Sequence, residues 1–266
     1  MQRAPAAILN QVVKHFLILE NEEAILRHHR LSPDGHAGIV FYYREPFSTT
    51  APLPVVHPRS FVYGQISRFH DLSSGGRTGM LVVVLQPYGL HLLTGIPAHE
   101  LTDQLISGPL IFGKEGLQLE EQIVLAADTG HRVQLIESFL VNKLQVSPVA
   151  DPVLQQAVHQ IYAHNGLLQV AQLTNILQLT ERRLERKFRD NIGLSPKQFL
   201  RTIRFQYLLK LLQQAPDDSL TRLAYNAGYY DQSHFIHEFR LLAGITPGQY
   251  ITQTRLLAIN FMQFVR

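Results

Sequence analysis

The segment Gly193-Leu-Ser-Pro196-Lys-Gln-Phe199 recurs 51 residues later as Gly244-Ile-Thr-Pro247-Gly-Gln-Tyr250, an internal repeat that obliges the chain to build one small unit twice. A Phe-Arg pair stands five residues ahead of each copy, Phe188-Arg189 and Phe239-Arg240. Carried backward, the same offset pairs Leu184 with Phe235, Arg186 with His237 and Thr180 with Asp231; one residue then drops out, and Leu173 pairs with Leu223. The slip falls in a turn. A duplicated helical unit with a basic first copy lets one chain present two helices to successive grooves of DNA.

The charge is divided unevenly. Residues 150–266 hold 13 Lys/Arg against 8 Asp/Glu, net +5, whereas residues 1–149 hold 11 against 13, net −2. Residues 180–210 concentrate nine Lys/Arg against three acidic residues, a footprint that attracts phosphate or a solvated helix surface. The 266 residues suffice for two domains. Absence of Cys removes disulfides, thiolate metal sites and cysteine nucleophiles and is compatible with a reducing cytoplasm. Met1 to Asn10 has no secretory-signal pattern. The longest apolar run, Met80 to Leu85, is far shorter than the roughly 20 residues that span a bilayer. A cytoplasmic location without membrane contact is expected.

In the N-terminal half, Gly38 to Tyr43, Ser60 to Ile66 and Met80 to Leu85 are short, β-branched or aromatic runs bounded by Pro, Gly and Ser, and read as strands of a sheet or barrel. Ser73-Ser-Gly-Gly76 is a turn signal, and Pro97 suits the first position of a helix running to about Ile106. Two further helices are expected over Leu117 to Ala127 and His131 to Leu144. Val146 to Pro152, with two prolines, marks a linker. Beyond it the pattern predicts helices over Pro152–Asn165, Leu168–Leu179, Thr180–Asn191, Pro196–Gln214, Leu220–Ala227, Gln232–Ala243 and Pro247 to about Phe264, with little strand.

Within the repeat, Leu168 to Leu179 is a short amphipathic helix and Thr180 caps the next. Leu184 and Phe188 lie four apart and face inward, leaving Arg182, Glu185, Arg186 and Arg189 outside. In the second copy Phe235 and Phe239 take the inward places, Asp231 is the cap, and Ser233, His234, His237 and Arg240 face out. Such a set suits the major groove, where Arg can bond a guanine edge with two parallel bonds. The helix Pro196 to Gln214 between the units has 19 residues and a length of roughly 28 Å, against about 34 Å per turn of DNA. The same pattern also serves helical protein-binding scaffolds.

The run Leu223-Ala-Tyr-Asn-Ala-Gly228-Tyr-Tyr-Asp-Gln-Ser-His-Phe235, with Glu238-Phe-Arg240 and Gly244 to Tyr250, resembles the signature of the AraC/XylS family of transcription regulators. The resemblance covers about residues 150 to 255. It implies a double helix-turn-helix domain that binds promoter DNA and recruits or repositions RNA polymerase. It places base reading on Arg182, Glu185 and Arg186 and on Ser233, His234 and His237, with Gln232 in support. The first copy departs from the pattern with Thr174 and Gln178 where the second has Ala224 and Gly228. A non-Gly residue in a left-handed turn position costs about 1 kcal/mol, so the first unit is expected to turn differently.

The segment from Val82 to Asp103 resembles N-terminal domains attached to one group of these regulators, which implies a β-rich, cupin-like sensory or dimerisation domain. The expected fold class is therefore α+β: a β-rich sensory-type domain over 1–145, a linker over 146–152 and an all-α double helix-turn-helix domain over 153–266. Tyr42, Tyr43, Phe61 and Tyr63 are candidates to line a small-molecule pocket, although alternating aromatics also build cores. Nine of the 13 histidines lie in this half, including His28-His29, His57, His70, His91 and His99, but without metal-site spacing. No metal, cofactor or catalytic residue is assigned. The apolar stripe of His131 to Leu144 suits a homodimer contact or packing on its own sheet. The leading expectation is a sequence-specific regulator responsive to a small-molecule effector. A small-molecule, possibly metal-dependent enzyme fused to a helical regulatory domain, and a nucleic-acid binder without sequence preference, are the alternatives.

Overall fold

The structure, a computed structural model, describes residues 1–50, 53–144, 149–215, 218–258 and 260–264. Strands come first: β1 (Gln2–Arg3), β2 (Val13–Asn21), β3 (Arg27–Leu31), β4 (Gly38–Tyr42), β5 (Ser48–Thr49), β6 (Val55–Val56), β7 (Ser60–Tyr63), β8 (His70–Ser74) and β9 (Thr78–Leu85). They lead through α1 (Gly89–Thr94) and β10 (Leu105–Ser107) to α2 (Gly108–Leu125) and α3 (Thr129–Leu144). The helices α4 (Pro152–Ala163), α5 (Val170–Leu177), α6 (Glu181–Asn191), α7 (Pro196–Gln214), α8 (Leu220–Asn226), α9 (Gln232–Ala243) and α10 (Pro247–Gln253) follow. A hairpin, β11 (Thr254–Ala258) and β12 (Phe261–Phe264), closes the described chain.

Two antiparallel sheets form, ordered β1-β2-β9-β4-β7-β10 and β11-β12-β3-β8-β5-β6. Side chains alternate across a strand, and both faces of the first sheet are covered. Val40, Tyr42, Phe61, Met80, Val82 and Val84 point toward the second sheet, where Leu72 and Phe261 meet them. Ile39, Phe41, Val62, Leu81, Val83 and Leu85 point the other way, onto Leu119, Ile123, Val133, Ile136 and Leu140 of α2 and α3. Burial on both faces explains why β9 is buried along its whole length and reads as an uninterrupted apolar run. It also settles the α3 stripe: Val133, Ile136 and Leu140 are fully buried against the chain's own sheet.

The helical part has two cores. Leu173, Leu184 and Phe188 belong to the first, Leu223, Phe235 and Phe239 to the second. Helix α7 joins them, giving Phe199, Leu200 and Ile203 to one and Phe205, Leu208, Leu209 and Leu212 to the other.

Three expected elements differ. The helix expected over 97–106 is a short 3-10 turn at Ala98–Glu100 followed by β10. Asp103 takes a left-handed conformation (φ 57°) while its carboxylate accepts from the Ser67 amide and hydroxyl at 2.7 and 2.6 Å, and Leu105–Ser107 then pair with the free edge of β7. The helix expected over 117–127 begins earlier, at Gly108, and is broken at Gly113 (φ 63°). The helix expected from Pro247 to about Phe264 ends at Gln253, and the all-α expectation for 153–266 fails there. Strand β12 completes the bare edge of β3, with Phe261 opposite Leu31 and Met262 opposite Arg30. A strand there satisfies the edge amides and carbonyls that a helix would leave open, and it buries Phe261 and Met262. Of the expected linker 146–152, residues 146–148 lie outside the described residues. Asp151 already caps α4, accepting from the Val153 amide at 2.9 Å, and Pro152 is the first helical residue.

His29 is held in this joint, its ring stacked between Phe47 and Phe261 at centroid distances of 5.0 and 5.3 Å and its Nε2 2.8 Å from the Ser74 hydroxyl. Burial, assisted by Arg27 and His28, lowers its pKa from 6.5 to about 4. The unfolded chain therefore binds a proton below pH 6.5 that native His29 refuses until about 4, and stability present above 6.5 is lost as the pH falls across that window. His29→Gln, which keeps a partner for Ser74 without titrating, is expected to shrink the drop in melting temperature between pH 7 and pH 5. Thermal melts of the two proteins at both pH values check this.

Candidate functional site: two capped helices and an interior cavity

In the first unit α5 ends at Gln178, whose backbone is left-handed (φ 53°, ψ 40°), and the Leu179 amide returns to the Thr174 carbonyl at 3.1 Å. Thr180 then caps α6, its side chain accepting from the Arg183 amide at 3.4 Å. In the second unit Gly228 (φ 75°) holds the same place, the Tyr229 amide returns to Ala224 at 3.0 Å, and Asp231 caps α9 from the His234 amide at 2.7 Å. The turns are alike, contrary to the sequence expectation; the first pays with strain at Gln178. The one-residue slip is Tyr230, which is 90% exposed and so is added without disturbing either core.

The faces divide as the periodicity requires. Leu184, Phe188, Phe235 and Phe239 are fully buried. Arg182, Arg186 and Arg189 on α6, and Gln232, Ser233, His234, His237 and Arg240 on α9, are exposed, with Glu185 half-buried. Arg189 is distinct: its guanidinium lies 3.4 Å from His99 Nε2 in the N-terminal half, and the other nitrogen of that imidazole lies 3.8 Å from Asp190.

One cluster escaped the sequence reading. Arg204 of α7 donates to both Glu238 oxygens at 2.9 Å, Tyr229 donates to Glu238 Oε1 at 2.7 Å, and the guanidinium sits 4.7 Å from the centre of the Tyr229 ring. Burial, and then Glu238, push the Tyr229 phenol well above its ordinary pKa. The network fixes α9 to α7. Tyr229 and Glu238 fall in the run that carries the family resemblance, but Arg204 lies 34 residues before Glu238, and no local pattern announces that pairing.

The repeat's two glycines mark where the N-terminal half touches the helical half. Gly193 (φ 94°) accepts at its carbonyl from the Thr102 hydroxyl at 2.8 Å, and a Cβ there would lie 2.6 Å from that hydroxyl. Gly244 (φ 69°) lies under Arg30 and Phe69, where a Cβ would come within 2.5 Å. Arg30, paired twice with Asp71 at 2.6 and 2.7 Å, also donates to the Ala243 carbonyl at 3.1 Å, a favourable cation at the C-terminal end of α9. Each exposed helix is thus anchored at its C-terminal end, with its capped N-terminal end turned away from that contact.

Between the sheets lies a cavity of about 520 Å³ that extends to α4 and α7. Tyr42, Phe61 and Tyr63 line it. Tyr43 does not: one residue along β4's course the side chain passes to the opposite face, among the residues packed on α2 and α3, and its hydroxyl donates to Glu20 at 2.7 Å. At the helical end the lining is polar. Lys14 Nζ donates to His36 Nε2 at 2.7 Å, and Tyr162 of α4 reaches the same nitrogen at 3.3 Å. His36 is fixed by its other nitrogen on the Leu85 carbonyl at 2.7 Å. Burial lowers the Lys14 pKa; Asp34 opposes this and Lys210 of α7 adds to it. Asp34 is itself raised to about 6 by burial, against the pull of Lys14. Two cations thus face one carboxylate at the mouth. Of the other histidines, His57 and His70 line the cavity, and His28, His91 and His99 lie elsewhere. Among the described residues no three His, Asp or Glu side chains are grouped to hold a metal ion, and no helix is long and apolar enough to cross a membrane.

Two helix-turn-helix units on one shared helix define a class of DNA-binding domain. Residues 173–253 match the family model described as helix-turn-helix domain, and residues 1–107 match a domain of unknown function, DUF6597. The transcriptional regulator MtrA of Neisseria gonorrhoeae is 35% identical over 72 residues, 27% of this chain and 24% of that protein. The transcriptional activator RhaS of Escherichia fergusonii is 35% identical over 69 residues, 26% of this chain and 24% of that protein. The match spans about a quarter of the length of these curated relatives. The structure of ToxT from Vibrio cholerae superposes with a TM-score of 0.47 at 12% identity, covering 89% of this chain and 97% of that one. The chain carries a helix-turn-helix domain over residues 173–253, the stretch in which its similarity to these regulators falls.

Gln178 offers a direct test of the turn. Since its left-handed backbone is one that Gly adopts freely, Gln178→Gly is expected to stabilise the protein by about 0.5–1 kcal/mol, seen as a higher denaturant midpoint at unchanged slope.

Proposed function

We propose that the protein is a sequence-specific transcription regulator whose helices α6 and α9 read two neighbouring major-groove segments, and whose N-terminal cavity binds a small-molecule effector. The observation that carries this reading is the pairing of two capped helices, apolar inside and polar outside, on one shared linker helix. In α6 the base-reading side chains are Arg182, Glu185 and Arg186. In α9 they are Ser233, His234 and His237, supported by Gln232. Arg189 and Arg240, nearer the anchored ends, serve the phosphates. Recruitment of RNA polymerase follows from the family resemblance.

The effector is an apolar molecule with one acidic group. The cavity walls are aliphatic and aromatic, and its volume lies in the range of ligand sites, about 300–1,000 Å³. At the mouth Lys14 and Lys210 outnumber Asp34 by one charge. An acid seated there supplies the missing anion, touching a strand of the first sheet and the helix that spaces the two units.

Arg186→Ala is expected to cost about 1–3 kcal/mol on the cognate site and much less on random DNA. Equal losses on both would make Arg186 a phosphate contact. The same comparison for His237→Ala tests α9, where an unchanged site preference would remove it from the reading set. Genome-wide mapping of occupancy supplies the cognate sequence for both titrations.

A further inference from the structure

We infer that the effector carries, at the end remote from its acid, a hydrogen-bonding oxygen held by the Tyr42–His57 pair. This rests on the reading of the cavity as the site of an apolar acid. The register of the first sheet sets the distance. Gly38 lies opposite Val84 and Tyr63, the level at which His15 pairs and Lys14 enters, whereas Tyr42 lies opposite Met80. Four residue steps at about 3.3 Å separate the two levels by about 13 Å. Between them the wall is apolar: Leu17, Val40, Phe61 and Val82.

At the far level the wall becomes polar again. Tyr42 and His57 are 2% and 7% exposed, and the Tyr42 hydroxyl lies 3.2 Å from His57 Nδ1. His57 Nε2 is buried and has no hydrogen-bond partner among the described residues. Burial, and then His70, lower the His57 pKa to about 4, so the ring is neutral at physiological pH. A neutral imidazole has one N–H and a phenol one O–H. One of these two hydrogens joins the pair, so in either tautomer one donor remains unused. His70, the neighbouring cavity histidine, faces Asp103 at 4.0 Å; among the described residues His57 has no such carboxylate. Buried polar groups in folded proteins find partners with few exceptions, and the cavity beside the pair is where a ligand oxygen would supply one. The ligand class is therefore an apolar acid about 13 Å long ending in a hydroxyl, carbonyl or ether oxygen.

The two ends make opposite demands on a pair of simple probes. Calorimetric titration of the full chain with decanoic acid and ω-hydroxydecanoic acid compares them directly. A cavity that is apolar at the far end would bind decanoic acid more tightly, because an unpaired hydroxyl is costly to bury. With the Tyr42–His57 pair as receptor, ω-hydroxydecanoic acid is expected to bind at least about tenfold more tightly, since sites built around a hydrogen bond reject analogues that lack it. His57→Phe should bring the ratio to one or below while decanoic acid still binds, and Tyr42→Phe should reduce it if the first variant does not fold. Equal affinities in the wild type, or a ratio that survives both substitutions, would overturn the inference. Decanoic acid binding that is lost in Lys210→Ala but shows no preference for the hydroxyl would leave the acid site standing and this inference refuted. Binding of neither acid would refute both.

Discussion

Helix α7 buries ten of its 19 residues, and three interiors depend on that packing. Its first turns close the core of the first helix-turn-helix unit through Phe199 and Ile203, and its later turns close the second through Phe205, Leu208 and Leu212. The face between carries Gln206, whose side-chain amide donates to the Pro33 carbonyl at 2.6 Å, and Ile203, Tyr207 and Lys210, which line the cavity. Protein interiors are close-packed, so a shift of such a helix is felt by every neighbour. The spacing of the two exposed helices and the shape of the cavity are consequently one variable.

The hairpin β11–β12 adds a second tie of a different kind. Strand pairing fixes it to β3, and the two side chains at its start diverge: Phe261 enters the interior between the sheets and Met262 enters the core around α9. Arg30, on the strand it pairs with, reaches the end of α9. The second unit is therefore bound to the sheet both by backbone and by side chain, and the first by Thr102 and His99. These contacts sit at the C-terminal ends of α6 and α9, which keeps the capped ends and polar faces clear.

The parts of this arrangement that were legible in the sequence are those governed by local chemistry. Caps at Thr180 and Asp231, the inward Leu and Phe positions and the limits of α7 follow from spacing within a few residues of each other. What was not legible depends on partners distant in sequence. Thr254–Ala258 and Phe261–Phe264 become strands because the β3 edge, over 200 residues earlier, is open; Leu105–Ser107 pair because β7 has a free edge. Tyr43 was grouped with Tyr42 by composition, but it falls one step along the alternation and meets α3 instead, with Arg132 stacked 4.0 Å above its ring. Gln178 departs from its sequence pattern for a different reason. Its type disfavours a left-handed turn, yet the helices on both sides bury Leu173, Leu177 and Leu184, and about 1 kcal/mol of backbone strain is small beside that burial, at roughly 1.5–3 kcal/mol for each large side chain.

The two copies of the unit are stiffened by unlike means, and this bears on how an effector would be felt. In the first, Lys187 pairs with Asp151 at the head of α4, a partly exposed contact, and such pairs contribute little. In the second, Arg204, Glu238 and Tyr229 form a buried network directly between α7 and α9. Removing one member of a buried pair leaves the other charge uncompensated, at about 3–5 kcal/mol, so α9 follows α7 as a single body. A molecule seated against Lys210 and Tyr207 would act on that helix. Its displacement would reach α9 through that network as well as through the shared core, and α6 through apolar packing alone, Phe188 on Phe199 with ring centroids 5.9 Å apart.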